Sequence, residues 1–172
     1  MFEEIKDVAQ LSRNPFQMIG QDWMLVSAAA GDRVNTMTAS WGGLGVLWQK
    51  NVAFVFIRPQ RYTREFVDAA ETLSLCFLGE AQRKTLTYLG TTSGRDEDKI
   101  AKSGLHTLFC GETPYFEESE LVFITKKLFV QRMDESAFLD KKIIEKWYPD
   151  HDFHFVYVCS IEKALQKTGK SE

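Results

Sequence analysis

Three short runs of the sequence combine hydroxyl, glycine, aromatic and basic residues, types that can hold a ligand without forming a covalent bond to it. The first run is Asn35-Thr36-Met37-Thr38-Ala39-Ser40-Trp41-Gly42-Gly43. Small hydroxyl side chains leave room for a ligand to approach the backbone, whose N–H and C=O groups can then bind its edge. An exposed edge strand that leads into a glycine turn explains the same run equally well, so its spacing leaves both interpretations open.

Two further runs are typical of anion binding. Arg58-Pro59-Gln60-Arg61-Tyr62-Thr63 follows an apolar strand and leads into a helix that Thr63 is expected to cap, so two arginines and free N–H groups could bind a phosphate. Thr91-Thr92-Ser93-Gly94-Arg95-Asp96-Glu97-Asp98-Lys99 offers hydroxyls and two cations to the same anion, provided that its acidic residues face away. A solvated basic connection and a capped surface helix are the alternatives. Together the three runs indicate one flat, phosphorylated ligand.

Other common chemistries lack their signatures. The histidines are His106, His151 and His154, and no Cys/His cluster has zinc spacing, so no metal site is expected. The patterns G-x-S-x-G, G-x-G-x-x-G and G-x-x-x-x-G-K-[ST] are absent, which argues against a hydrolase triad, a dinucleotide-binding α/β domain and a P-loop. Cys76 lies inside an apolar strand and is expected to pack rather than react.

Length and composition indicate an ordinary globular domain. The chain has 172 residues and a formal net charge of −3, and we expect residues 1–172 to form a single domain. Its balanced charge argues against non-specific nucleic-acid binding and against attachment to a membrane surface. The widely spaced Cys76, Cys110 and Cys159, the acidic start and the lack of an apolar run of about 20 residues predict a cytoplasmic protein with no membrane span.

Apolar runs of strand length must position the three runs. Strands are predicted over residues 23–30, 34–40, 44–49, 52–58, 73–78, 121–133 and 153–161, with alternate residues of the last sharing one face. A tight turn is predicted at Lys50-Asn51, and a frayed polar tail at residues 167–172. Helices are predicted over residues 64–70, 81–89, 96–102 and 141–148. The pattern is typical of a closed or nearly closed antiparallel barrel with short helices inserted.

These runs, followed by Tyr148-Pro149 and Asp152-Phe153-His154, resemble the flavin reductase-like family of FMN-binding split barrels, which includes flavoredoxins. The matching residues are the run from Asn35 to Gly42, Arg58-Pro59-x-Arg61-Tyr62-Thr63 and Ser93-Gly94-Arg95-Asp96-x-Asp98-Lys99, in order and across nearly the whole chain. The resemblance implies a mainly β (α+β) fold, a six-stranded antiparallel split β-barrel with short inserted helices. It also implies a homodimer that holds FMN near the subunit interface.

The resemblance assigns roles to individual residues. Thr38, Ala39, Ser40 and Trp41 would contact the isoalloxazine ring, largely through the backbone. The preceding residues of the run, Asn35, Thr36 and Met37, are expected to belong to the cofactor-binding site. Arg58, Arg61 and Thr63, beside Pro59 and Tyr62, would hold the phosphate, with Ser93, Arg95 and Lys99 as helpers. His154 lies where relatives often carry a histidine near the nicotinamide side of the flavin. Cys159-Ser160 replace the Gly-Glu pair usual in the family, which leaves the second-substrate contacts open.

The implied activity is that of an oxidoreductase in which NAD(P)H gives hydride to N5 of FMN and electrons pass to a small or protein acceptor. Flavin carries out such chemistry itself, so no protein nucleophile or acid is required. Donors aimed at the N1/O2 edge of the ring would stabilise its reduced anionic form. The alternatives are a flavoredoxin-type electron carrier with tightly bound FMN and no NAD(P)H activity, and a non-enzymatic barrel that binds another ligand. No residue identifies the preferred nucleotide or the acceptor.

Overall fold

A computed structural model describes residues 1–169 of the chain. Its strands in that range are β1 (Phe2–Glu4), β2 (Met24–Ala30), β3 (Arg33–Ala39), β4 (Gly42–Leu47), β5 (Lys50–Ile57), β6 (Thr72–Phe77), β7 (Thr107–Cys110), β8 (Thr113–Phe116), β9 (Leu121–Arg132) and β10 (Phe155–Lys167). The α-helices are α1 (Pro15–Gln17), α2 (Thr63–Ala69), α3 (Arg83–Thr91), α4 (Lys99–Ser103) and α5 (Lys141–Trp147). Each predicted strand and helix has a counterpart among these elements.

An antiparallel sheet of eight strands is the frame of the described residues. Its order is β3-β2-β6-β9-β10-β5-β4, with β1 paired to β10, while β7 and β8 form a separate hairpin. The expected number of six strands is therefore too low. The strands that the sequence did not predict are β1, β7 and β8, which are short segments of three or four residues. Within residues 1–169 no helix is long and apolar enough to cross a membrane.

Alternation along the strands divides the apolar side chains between two cores. Along β2, Met24 and Val26 belong to one core and Leu25 to the other. The second core lies against α3, whose Leu86 and Leu89 are fully buried in it. Because this burial fixes α3 on the sheet, it also fixes the loop between α3 and α4, which carries the third sequence run.

The alternate residues of β10 share a face as predicted. Tyr157 and Cys159 are buried in the first core, and the partly buried Phe155 and Ile161 pack against it. Cys76 is buried in the second core, where desolvation raises the pKa of its thiol. The side chain therefore stays neutral and packs, as its place in an apolar strand indicates.

The connection from β4 to β5 differs from the prediction. The turn residues are Trp48 and Gln49, with φ of 51° and 58°, and Lys50 already pairs with Leu47 inside the ladder. Two successive positive φ angles give the twist that a two-residue hairpin requires, although such angles are unfavourable for residues other than glycine, asparagine and aspartate. Since neither turn residue is of those types, the sequence pattern favoured Lys50-Asn51 instead.

Helix and chain ends also differ from the predictions. Thr63 is the first residue of α2 rather than its cap, and Tyr62 precedes it without a capping side chain. Helix α4 begins at Lys99, later than expected, because Asp98 caps it by accepting a hydrogen bond from the Ala101 N–H at 3.1 Å. The predicted polar tail is wrong at its start, since Lys167 ends β10; residues 170–172 lie outside the described range.

Candidate functional site

The second and third sequence runs meet in a cavity of about 180 Å³, which we name the basic cavity. The turn between β5 and α2 forms one wall, and the end of α3 with the following loop forms the other. Its lining residues are Gln60, Arg61, Tyr62, Thr63, Thr91, Thr92, Ser93, Gly94 and Lys99. Two cations and five hydroxyl side chains, one of them the phenol of Tyr62, therefore line one small space.

Arg61 and Lys99 are held by backbone carbonyl groups at the end of α3. The Arg61 Nη1 donates to the Gly90 oxygen at 2.8 Å, and the Lys99 Nζ donates to the oxygens of Leu89 and Thr92 at 2.9 Å each. Within residues 1–169 neither cation forms an ion pair with a carboxylate. Burial, and then the nearby Arg61 charge, lowers the pKa of Lys99 to about 8, and burial lowers that of Arg61.

Two of the three acidic residues of the third run have partners outside the basic cavity. Glu97 accepts a hydrogen bond from the Tyr88 hydroxyl at 2.7 Å and forms an ion pair with Lys102. Asp98 is occupied as the cap of α4. Anion binding by the third run requires that its acidic residues face away from the anion, and Glu97 and Asp98 meet this condition.

Close packing around Gly94 shapes the same cavity. A Cβ added at Gly94 would lie 2.5 Å from the Asn35 Oδ1, so a larger residue would displace the Asn35 side chain. Asn35 is buried and its Nδ2 donates to the Thr63 hydroxyl at 3.2 Å. Glycine at this position thus lets the loop approach β3 and keeps Thr63 in place.

The first sequence run lines a second cavity of about 230 Å³, which we name the aromatic cavity. It lies where β3 ends, between that run and the ends of β5 and α5. Its lining residues are Met37, Thr38, Ala39, Ser40, Trp41, Phe56, Arg58, Arg61, Trp147 and His154. Because Arg61 lines both cavities, the two spaces are neighbours.

Aromatic contacts fix the walls of the aromatic cavity. The Trp41 ring lies 5.2 Å from that of Trp147, edge to face, and 5.3 Å from the imidazole of His154. Phe56 meets His154 edge to face at 6.4 Å. Such a cavity can receive a flat ring between side chains that are already oriented.

His154 is buried, and its Nδ1 lies 2.8 Å from the Tyr148 hydroxyl. Desolvation, followed by the nearby Arg58 charge, lowers the pKa of His154 to about 4. The imidazole is therefore neutral near pH 7 and can accept or donate one hydrogen bond, but it does not supply a positive charge to the cavity.

A polar cluster secures the residues that follow Trp147. Arg58 forms an ion pair with Asp152, and its Nη2 donates to the Trp147 oxygen at 2.8 Å. The Gln60 Nε2 also donates to Asp152, at 2.6 Å. Although burial alone would raise the pKa of Asp152, the hydrogen bonds from Arg58 and Gln60 hold it below its ordinary value. Asp152 is therefore ionised at neutral pH, and it neutralises Arg58.

The structure brings most of the predicted site residues together. The aromatic cavity receives Met37, Thr38, Ala39, Ser40, Trp41, Arg58, Arg61 and His154. The basic cavity receives Arg61, Tyr62, Thr63, Ser93 and Lys99. Arg58 is thus separated from the group of residues with which the resemblance placed it.

Four predicted residues line neither cavity: Asn35, Thr36, Pro59 and Arg95. The Thr36 hydroxyl lies 2.8 Å from that of Ser27 inside the sheet. Arg95 is half exposed, pairs with Glu65 and lies over the Tyr62 ring at 4.5 Å. Asn35 acts on the basic cavity indirectly, through Thr63.

Two side chains of the aromatic cavity were missed from the sequence. Phe56 lies in a strand read as buried on both faces, so nothing marked it as facing a ligand. Trp147 ends a helix of which no residue is buried. Its proximity to the Tyr148-Pro149 pair was the available signal. Among the described residues no group of His, Cys, Asp or Glu side chains is arranged to hold a metal ion.

Comparisons with known proteins give one matching family and several similar structures. The family model described as "Flavin reductase like domain" matches residues 16–166. The chain is similar to the structure of an FMN-binding domain of a flavin reductases-like enzyme from Shewanella baltica, with 15% identity and a TM-score of 0.70 over 96% of this chain and 77% of that one. No curated protein sequence matches.

Two further solved structures are similar. Flavoredoxin from Methanosarcina acetivorans gives 18% identity and a TM-score of 0.68 over 96% of this chain and 76% of that one. An NADH:FAD oxidoreductase from Streptomyces globisporus gives 11% identity and a TM-score of 0.64 over 85% of this chain and 75% of that one. The expected fold class, a mainly β antiparallel split barrel with short inserted helices, is confirmed.

Proposed function

The chain belongs to the flavin reductase like family, and on that premise we propose that it binds FMN and acts as an NAD(P)H-dependent flavin reductase. The chemistry that FMN supplies when bound is hydride transfer at its N5 atom, from NADH or NADPH to a small or protein acceptor. What the chain must supply is a place for a dianion, a place for a flat ring and access to one face of that ring.

The basic cavity fits the phosphate. Arg61 and Lys99 are desolvated cations without a carboxylate partner among the described residues, an arrangement that an incoming dianion would stabilise. The hydroxyls of Thr63 and Ser93 can donate to the remaining phosphate oxygens. Each hydrogen bond between charged groups contributes about 1.5–3 kcal/mol, so the phosphate would account for much of the affinity.

The aromatic cavity fits the isoalloxazine ring. Thr38, Ala39, Ser40 and Trp41 line it at the end of β3, and backbone groups of this segment can bind the polar edge of the ring. Thr38 is positioned by its hydroxyl, which donates to the Leu86 oxygen of α3 at 2.5 Å. Neutral, buried His154 lies against the Trp41 ring, so this wall would add no charge beside a bound ring.

A single observation carries the proposal: the buried Lys99 and the partly buried Arg61, neither with an acidic partner among the described residues, lie beside a cavity with aromatic walls, and Arg61 lines both cavities. We test it by titrating the ligand-free protein with FMN and with riboflavin and following the flavin fluorescence. FMN should bind about 100-fold more tightly than riboflavin, because only FMN carries the phosphate. If neither flavin binds, the chain is a barrel for another ligand and the proposal fails.

A flavoredoxin-type electron carrier is the second candidate, and one observation favours it. A nicotinamide dinucleotide carries a pyrophosphate, yet Arg58 at the aromatic cavity is already neutralised by Asp152. Anaerobic mixing of the FMN-loaded protein with NADH or NADPH separates the candidates. Loss of the oxidised flavin absorbance within minutes identifies a reductase. Absence of bleaching by both nucleotides, with bleaching by dithionite, identifies a carrier.

We further propose that residues 1–172 act as one domain and that the chain forms a homodimer. Three successive apolar residues of β9, Leu128, Phe129 and Val130, are 39%, 44% and 50% exposed. Because β6 pairs with β9 only as far as Lys126, one edge of this segment is unpaired among the described residues. A second copy that covers this segment would shield both the edge and the side chains. Sedimentation equilibrium should give the mass of two chains.

A further inference from the structure

An uncharged cavity adjoins the aromatic cavity on the side of α1. It has a volume of about 550 Å³ and shares Ser40, Trp41 and Phe56 with the aromatic cavity. We name it the apolar cavity. Phe16 and Tyr148 are among its other lining residues. A molecule held there would contact Trp41 and Phe56, two of the rings that line the aromatic cavity, so it would lie beside any molecule that occupies the aromatic cavity.

The chemistry of the lining limits what the apolar cavity can bind. None of the described residues that line it carries a charged side chain. The two neighbouring cavities, in contrast, each contain at least one arginine. A phosphate, sulfonate or carboxylate would be desolvated in the apolar cavity without a cationic partner, which is strongly unfavourable. The lining therefore disfavours ligands whose anionic groups would have to enter the apolar cavity.

The remaining polar groups favour a ring that bears a hydroxyl or carbonyl group. Ser40 contributes a hydroxyl that can donate or accept one hydrogen bond. The Tyr148 hydroxyl lies 2.8 Å from His154 Nδ1 and is already engaged. Trp41 and Phe56 offer aromatic surface, and the volume is within the range that holds small organic ligands. Ring stacking with one polar contact is the recognition that these groups allow.

We propose that the apolar cavity binds an uncharged aromatic molecule of one or two rings, beside the ring that occupies the aromatic cavity. This binding does not depend on the proposed function. Naphthol and naphthoate, substituted at the same ring position, are the probes, since they differ in charge and hardly in shape. Calorimetric titration is done on the FMN-saturated protein, so that the aromatic cavity is not available to the probe.

Naphthol should bind about tenfold more tightly than naphthoate. Phe16→Glu, which places a carboxylate at the rim on a side chain that is 88% exposed, should weaken binding of naphthol at least tenfold. Phe109→Glu is the matched control, because Phe109 is an exposed phenylalanine that lines a different cavity, and it should leave the affinity unchanged. Equal binding of the two probes, or equal effects of the two variants, overturns the proposal.

Two other outcomes also overturn it. If FMN abolishes naphthol binding, the probe occupies the aromatic cavity instead. If Phe16→Glu converts a dimer to a monomer in sedimentation equilibrium, a second copy of the chain covers the apolar cavity. If the protein does not bind FMN, the same titrations can be done on the ligand-free protein with the same pair of variants. They still test the apolar cavity, so failure of this proposal can be distinguished from failure of the proposed function.

Discussion

The basic and aromatic cavities both contain an arginine from one short segment, yet the two arginines are used differently. Arg61 in the basic cavity donates only to a backbone carbonyl and has no carboxylate partner within the described residues. Arg58 in the aromatic cavity is neutralised by Asp152 and holds the Trp147 backbone. Arg61 therefore keeps a charge with which a ligand can pair, whereas the charge of Arg58 is already paired within the protein.

Because of this difference, Arg58 and Arg61 should contribute differently to ligand affinity and to the stability of the folded protein. Polar groups whose partners are within the protein contribute mainly to the folded state, and their loss leaves a buried partner unsatisfied. Desolvated groups without an opposite charge destabilise the free protein and are compensated when a ligand binds. Changes in the basic cavity should therefore alter ligand binding, and changes around Arg58 should alter unfolding.

Removal of Arg61 should have the largest effect. In Arg61→Ala the dissociation constant for FMN should rise about 10- to 100-fold, because a hydrogen bond between charged groups is lost. Riboflavin affinity should change by about twofold at most, since riboflavin lacks the phosphate. Arg95→Ala, which removes a half-exposed arginine outside both cavities, is the control and should change neither value appreciably. An equal loss for the two flavins would contradict the division between the cavities.

Asp152→Asn should show the opposite pattern. The substitution removes the negative charge that pairs with the partly buried Arg58. The free energy of unfolding in urea should therefore fall by about 2 kcal/mol. FMN affinity should stay within about threefold. Glu65→Gln makes the same change in an exposed pair and should cost less than about 1 kcal/mol. A large loss of FMN affinity without loss of stability would show that Arg58 serves the ligand after all.

His154 should make the fold sensitive to acid. Its pKa is lowered from 6.5 to about 4, so the unfolded chain binds a proton between these values and the folded chain does not. Stability should therefore fall as the pH drops from about 6.5 to 4, by about 1–2 kcal/mol from this residue at pH 5. In His154→Phe, the decrease in stability at acid pH that is due to His154 should disappear. His106→Gln, which replaces an exposed histidine, should retain this decrease. Urea unfolding at several pH values measures the difference.

Lys99 should give the smallest effect, with opposite signs for binding and stability. As the pH rises through about 8 the buried lysine loses its proton, and FMN affinity should fall about three- to tenfold by pH 9. The free protein should gain stability over the same interval, because the unfolded chain keeps that proton up to about 10.5. Neither trend should appear in Lys99→Met, and both should persist in Lys102→Met, which removes an exposed lysine. If FMN affinity and stability changed in the same direction as the pH rises, the assignment of both trends to Lys99 would be contradicted.

Much of the fold could be predicted because long apolar runs with period two specify strands. The elements missed were β1, β7 and β8. The three residues of β1 pair with β10 at the far end of the chain, while β7 and β8 form a hairpin of two four-residue strands that is too short to show a period-two pattern. The Trp48-Gln49 turn was misplaced because the ladder imposes an angle that neither residue type favours.

The basic cavity was more predictable than the aromatic one. Its cations and hydroxyls lie in two compact runs with types that indicate anion binding. The aromatic cavity is closed by Phe56 and Trp147, which come from separate parts of the chain and are ordinary packing residues by type. The partner of Arg58 could not be predicted either, since Asp152 is distant in sequence and meets it only in the folded chain.

Because Arg61 is common to both cavities, a ring fragment and a phosphate fragment can be compared with the intact molecule that joins them. Lumichrome and inorganic phosphate would each fill one cavity, and the tether in FMN would convert the second encounter into an intramolecular one. The product of the two fragment dissociation constants, divided by the dissociation constant of FMN, gives the effective concentration that the ribityl chain provides. A protein built this way can discriminate phosphorylated from dephosphorylated flavin by connectivity as well as by charge.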